Sequence, residues 1–156
     1  TNAENSASTV WASTDMTSTV ISDTASGHWG NDTPMLYYAF TAVEGYSAFG
    51  SYTGNGSADG PFVYTGFRPK WLMWKVTQTT PNSESWYVLD TARDPYNEST
   101  NRLHPNSTAS DAAMGTGFDL LSNGLKLPSS DPDLNGAYTH IDAPFAENPF
   151  KTTRPR

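Results

Sequence analysis

Apolar positions along this chain recur with period two or in short unbroken runs, and almost nowhere at the spacing of a helix face. Gly, Pro and clusters of Ser, Thr and Asn break the pattern at short intervals. The strongest run, Met35-Leu-Tyr-Tyr-Ala-Phe-Thr-Ala-Val43, predicts a central strand apolar on both faces. Residues 18–22 predict a short strand, and residues 45–52 an extended segment carrying Tyr46, Phe49 and Tyr52. Turn chemistry follows at Thr53-Gly-Asn-Gly-Ser57. Residues 62–64, 70–76 and 84–90 read as further strands, the last two joined by a hairpin loop over 77–83. Pro69 stands at a strand entrance, where a missing N–H does least harm. Asn123-Gly124 between residues 117–121 and 125–127 is a strong hairpin signal. Residues 137–146 form a closing strand, interrupted at Pro144. The polar stretch 91–116 reads as a long loop in which residues 110–114 supply one turn of helix.

About nine short strands separated by turns predict an all-β, antiparallel two-sheet β-sandwich of the jelly-roll or concanavalin A-like kind. The expected organisation is a polar N-terminal arm over residues 1–17, the sandwich over 18–151 and a basic tail over 152–156. A chain that starts at Thr1 is expected to be a processed precursor or a piece of a longer one. A faint echo links 18–46 with 117–150: strand, polar loop with Asn and Asp, then a run ending in Glu. Strands that lack a partner in their own chain would pair with a neighbour.

Composition supports a packed core over disorder, since aromatics make up 13% of the 156 residues. Only 16% are charged and 37 are Ser or Thr, which implies a neutral, hydroxyl-rich surface. The net charge of −7 is unevenly spread: residues 1–67 hold six acidic side chains and no Lys or Arg. Lys151, Arg154 and Arg156 make the last residues basic, so an acidic front and a basic end could meet between copies. An acidic chain repels phosphate backbones, so nucleic acid is not an expected partner. No apolar stretch is long enough to cross a bilayer, and no membrane insertion is expected. The absence of cysteine excludes thiolate metal sites, Cys nucleophiles and redox motifs.

Several phrases carry a family likeness. They are Phe49-Gly-Ser-Tyr-Thr-Gly-Asn-Gly56, Gly60-Pro-Phe-Val-Tyr-Thr-Gly-Phe-Arg-Pro69, Trp86-Tyr-Val-Leu-Asp-Thr-Ala-Arg93 with Tyr96-Asn97, Leu121-Ser-Asn-Gly124, and Phe145-Ala-Glu-Asn-Pro-Phe-Lys151. Over residues 35–151 the chain resembles bacteriophage tail-fibre and virion-associated proteins. The resemblance implies a concanavalin A-like sandwich on a virion appendage, at the virion surface or otherwise extracellular, and offers no catalytic residues to carry over.

Chemistry is sparse. Glycoside hydrolysis needs two carboxylates flanking the bond, yet Asp119, Asp142 and Glu147 are scattered singles. His28, His104 and His140 lie in polar or turn surroundings without a nucleophile elbow or metal spacing, and are expected at the surface. Asp131, Asp133, Asn135, Gly136, Thr139 and Asp142 match the spacing of a calcium loop, although no helices flank it and Pro132 is unusual there. Calcium is therefore the single cofactor candidate. Trp29, Tyr96 with Asn97, and Trp86 are candidates for a carbohydrate platform, while Trp71, Trp74 and, by default, Trp86 are expected to pack. Asn31, Asn55, Asn97 and Asn106 head glycosylation acceptor patterns. The expectation is a non-enzymatic, self-assembling structural subunit whose partners are copies of itself, the alternative being a lectin-like module for host-surface glycans.

Overall fold

The structure, a computed structural model, describes residues 38–77 and 85–150. The chain divides into two compact units, Thr1–Phe40 and Thr41–Arg156. Of the first, the described residues are Tyr38 to Phe40, with Tyr38 and Phe40 exposed. The polar arm, the strand expected over 18–22 and the basic tail lie outside the described residues.

The second unit is an all-β sandwich of two four-stranded antiparallel sheets. Its strands are β1 (Gly50–Thr53), β2 (Phe62–Tyr64), β3 (Pro69–Val76), β4 (Tyr87–Asp90), β5 (Ser99–Arg102), β6 (Ala112–Leu121), β7 (Gly124–Lys126) and β8 (Thr139–Ala146). One sheet runs in the order β1-β8-β3-β4 and the other β2-β7-β6-β5. A single helical turn, α1 (Pro132–Asn135), precedes β8. Asp131 caps it, Pro132 supplies its first position, and Gly136 ends it. No helix among the described residues is long and apolar enough to cross a membrane.

The inner faces follow the period of two. Leu72, Trp74 and Val76 on β3 alternate with Trp71, Met73 and Lys75, and Tyr87 and Leu89 face inward beside them on β4. Phe118 and Leu120 on β6, with Leu125 and Leu127, supply the opposing layer. Trp74 joins the two: its ring stacks on Tyr87 at 5.2 Å between centroids and meets Phe118 edge-on at 4.8 Å. Its indole N–H donates to the Asp133 carbonyl at 3.3 Å, so the buried ring leaves no orphan donor.

Four sequence expectations need correction. The apolar run ending at Val43 is not a strand in its described part: residues 38–42 are irregular and Val43 forms an isolated bridge to Ser47. Its counterpart in the echo, residues 137–146, does contain a strand, so residues 38–42 differ in structure from that counterpart. The segment 110–114 belongs largely to β6 and makes no helical turn. Within the polar stretch 91–116 lie β5 and the first half of β6. Its side chains hold the bends: Asp90 Oδ1 accepts from the N–H of Ala92 and of Arg93, and Asp94 Oδ2 from those of Thr100 and Asn101. Finally, β8 runs straight through Pro144. In an antiparallel ladder a residue's N–H and C=O point to the same side. The Pro144 carbonyl accepts from Ala48 N–H, so its missing N–H faces that segment and the ladder to β3 loses nothing.

Candidate binding surface at the open side of the sandwich

Among the described residues the two sheets form one circuit that closes on one side only. Val88 on β4 and Leu103, just past β5, exchange both backbone hydrogen bonds, at 3.0 and 2.8 Å. This bridge joins the sheets along the β4–β5 side. At the other end of the circuit stand β1 and β2, each hydrogen-bonded to one neighbour among the described strands.

Register shows which groups these edges leave outward. Leu127 N–H donates to Pro61 O and Thr65 N–H to Asn123 O, so residues 61, 63 and 65 are those bonded to β7. The N–H and C=O of Phe62 and Tyr64 therefore point away from the sheet. On β1, Ala48 N–H donates to Pro144 O and Gly54 N–H to Tyr138 O, which leaves Ser51 and Thr53 facing outward in the same way. The edges differ in side chains. Phe62 and Tyr64 are 47% and 72% exposed, whereas β1 offers two small hydroxyls. Val63 turns inward onto the core. Gly124 is required under the β2 edge: a Cβ there would lie 2.3 Å from the Val63 carbonyl oxygen and 2.6 Å from the Phe62 ring.

The loop between the edges is clamped by one side chain. Asn135, fully buried, accepts from Asn55 N–H at 2.9 Å and donates to Asn55 Oδ1, Ser57 O and Ser129 O at 2.7–2.8 Å. Gly56 N–H reaches the Asn135 carbonyl. Gly54 lets the chains touch, since a Cβ would sit 2.0 Å from the Gly136 carbonyl oxygen. Lys126, opposite Phe62, donates to Asp59 and to the Gly60 carbonyl. That contact holds the exposed Asp59 carboxyl below its ordinary range.

Beneath the closed side lies a buried polar cluster. Tyr87 Oη donates to Asp133 Oδ2 at 2.8 Å, and Arg102 Nη1 stands 3.7 Å from that oxygen, close enough for Coulomb attraction but not for a hydrogen bond. The Arg102 guanidinium lies over the Tyr87 ring at 4.7 Å, and His104 meets its edge at 5.0 Å. Burial raises the Tyr87 phenol, reinforced by Asp133, and burial likewise raises the Asp133 carboxyl. His104 is lowered, by burial and then by Arg102. Towards β1, His140 stacks on Tyr52 at 4.7 Å with Asp142 two residues on, facing the same interior. Burial depresses the imidazole and pushes the Asp142 carboxyl up to about 6. Asp142 Oδ1 and His140 Nδ1 find no hydrogen-bond partner.

The sequence-derived candidates disperse. Asp131 Oδ1 accepts from Asp133 N–H at 2.8 Å, Asp133 turns to Tyr87 and Arg102, and Asn135 is spent on the clamp. Thr139 and Asp142 belong to β8, and among the described residues no three His, Asp or Glu side chains are grouped to hold a metal ion. His140 is fully buried, correcting its expected surface position, and His104 is half-buried. Asp119 lies on the outer face of β6 and Glu147 pairs with Arg68 at 2.8 Å. Tyr96 is 80% exposed, but the Asn97 amide grips the backbone of Leu120 from both its atoms. Asn55 is held by the clamp, Asn106 Oδ1 accepts from Trp86 N–H, and Trp86 is half-buried under Lys75. Trp29, Asn31 and His28 lie outside the described residues.

Residues 1–149 match a family described as a domain of unknown function, DUF7483. The chain belongs to that family. No curated protein and no solved structure matches it.

Sequence reasoning missed the edge residues Ser51, Thr53, Phe62 and Tyr64, and the clamp residue Asn135 in its actual role. A strand as short as Phe-Val-Tyr carries no signal of which neighbour it lacks. Asn135 reads as turn chemistry because its partners, Asn55 and Ser57, are remote in sequence.

Proposed function

We propose that this chain is a non-enzymatic contact and assembly module of an extracellular filament or phage appendage, joining other copies through its open sheet edges. The observation that carries this reading is the outward set of main-chain N–H and C=O groups on β1 and β2. Such edges are templates for an added strand, with hydrogen bonds giving strength and alternate side chains giving selectivity. Natural sheets usually blunt their edges with Lys, Pro or a covering element. β2 instead carries two exposed aromatic rings. The inward-facing polar groups serve this role as scaffold: Asp133 and Arg102 brace the closed side, and Asn135 holds the loop between the edges. Sedimentation velocity from micromolar to millimolar protein tests the reading, with electron microscopy of the concentrated sample. The expected result is reversible, concentration-dependent growth; a chain that stays monomeric throughout sinks it.

A lectin-like role is the second reading, favoured by Tyr96, whose ring is 80% exposed on a loop. A glycan array decides it. Saturable binding abolished by Tyr96→Ala supports a sugar site, and a blank array removes it.

A further inference from the structure

We infer that the β2 edge is a homodimer seam, in which two copies join β2 to β2 antiparallel about a two-fold axis passing through Val63. The inference rests on the assembly reading above and names its partner and register. Phe62 and Tyr64 each turn outward one N–H and one C=O that no described residue pairs, on either side of Val63. In an antiparallel pair, residues that exchange both bonds alternate with residues that exchange none. Setting Phe62 opposite Tyr64 of the second copy, and Tyr64 opposite Phe62, brings Val63 against its own copy. All four donors then meet all four acceptors, and none is left over. A slip by one residue turns rings toward the wrong face and leaves groups unmatched.

The side chains favour the same arrangement. Phe62 and Tyr64 both point outward, so the rings of the two copies form one row across the seam. Leu121, 39% exposed, extends the apolar strip on the far side of Gly124. Charge narrows the choice of edge and partner. Copies of a chain carrying −7 repel one another, so contact is cheapest where no lone charge stands. Lys126 beside the seam is already neutralised by Asp59. The β1 edge turns main-chain groups outward too, but the side chains it presents with them are the hydroxyls of Ser51 and Thr53 rather than two aromatic rings.

Size sets the strength. The exposed parts of Phe62, Tyr64 and Leu121 amount to roughly 300 Å² per copy, against the ~800 Å² per partner of a standard stable interface. The seam is accordingly weak between free chains and becomes effective where copies are held side by side.

The chain has no cysteine, so Val63→Cys introduces a single thiol at the centre of the proposed seam. Opposed non-hydrogen-bonded residues lie at a separation that admits a disulfide. At millimolar protein under mild oxidation, Val63→Cys is expected to form covalent dimer about tenfold or more faster than Ala58→Cys on the exposed loop. Equal rates overturn the seam. A second variant guards against a folding defect: Phe62→Pro with Tyr64→Pro removes both rings of the seam and two N–H groups that β7 does not use. It is expected to abolish self-association while its thermal midpoint stays close to that of the unmodified chain. If association survives that pair but vanishes with Ser51→Pro and Thr53→Pro, the seam is wrong and the assembly reading stands. If the unmodified chain never associates, both fall.

Discussion

Along the β4–β5 side, Val88 and Leu103 satisfy each other's main-chain groups, and a buried carboxylate and phenol with a half-buried guanidinium brace the corner. Along the β1–β2 side, Ser51, Thr53, Phe62 and Tyr64 turn the same kinds of group outward; the loop there is held from within by a neutral amide, Asn135, with the surface Lys126–Asp59 pair beside it. The contrast teaches where each kind of interaction belongs. A charge buried with its partner resists any change at its site, because losing either member strands the other. A neutral amide saturated by backbone holds a loop's shape without adding charge to a surface that copies must approach.

Breaking the closed side should have the largest effect. Arg102→Ala leaves Asp133, 7% exposed, without its nearest cation, and should cost about 3 kcal/mol in urea unfolding. Little change would show that the corner is held by packing alone. Next, Asn135→Ala should cost about 2 kcal/mol, since it orphans Asn55 N–H and the carbonyls of Ser57 and Ser129. Amide exchange over residues 54–60 should accelerate while β4 and β5 stay protected; uniform acceleration would argue against a local clamp.

Asp142 sharpens the comparison with the opposite sign. Its folded pKa of about 6 lies above the ordinary 3.8, so the folded state holds the proton more tightly than the unfolded chain does. Its contribution is fully present below about pH 4 and is lost as pH rises through 6. Asp142→Asn should therefore stabilise the protein by about 1–3 kcal/mol at pH 7 and change little at pH 4. His140 works in reverse: its depressed pKa costs stability as pH falls below the ordinary histidine range. Thermal midpoints measured across pH 4–8 should show the neutral-pH decline flattened in Asp142→Asn; an unchanged profile would clear Asp142 as its source. The smallest effect belongs to the open edge. Phe62→Pro or Tyr64→Pro should shift stability by under about 1 kcal/mol, because the lost N–H has no partner among the described residues and the lost ring is largely at the surface. Val63→Pro should cost several times more, and similar values for the three would show that the ladder assignment is wrong.

Much of this fold is legible in the sequence. Alternation over residues 70–76, Asn-Gly at 123–124 and Pro69 at a strand entrance locate β3, the β6–β7 hairpin and the start of β3, because each rests on local stereochemistry. The polar stretch 91–116 misleads because side chains of Asp90, Asp94 and Asn97 do work that apolar pattern does not record. Apolar content alone misplaces a strand up to Val43, since a run without alternation says nothing of what covers it.

Period, punctuation and composition thus determined an all-β sandwich, its acidic charge and its lack of thiol chemistry, for all of these are properties of neighbours along the chain. Tertiary structure decided which strands stand at the edges, which His and Asp are buried, and that Asn135 joins residues some eighty positions away. Those depend on which segments meet across the sandwich, and strand order is set by the packing of two whole layers rather than by any segment's own preference.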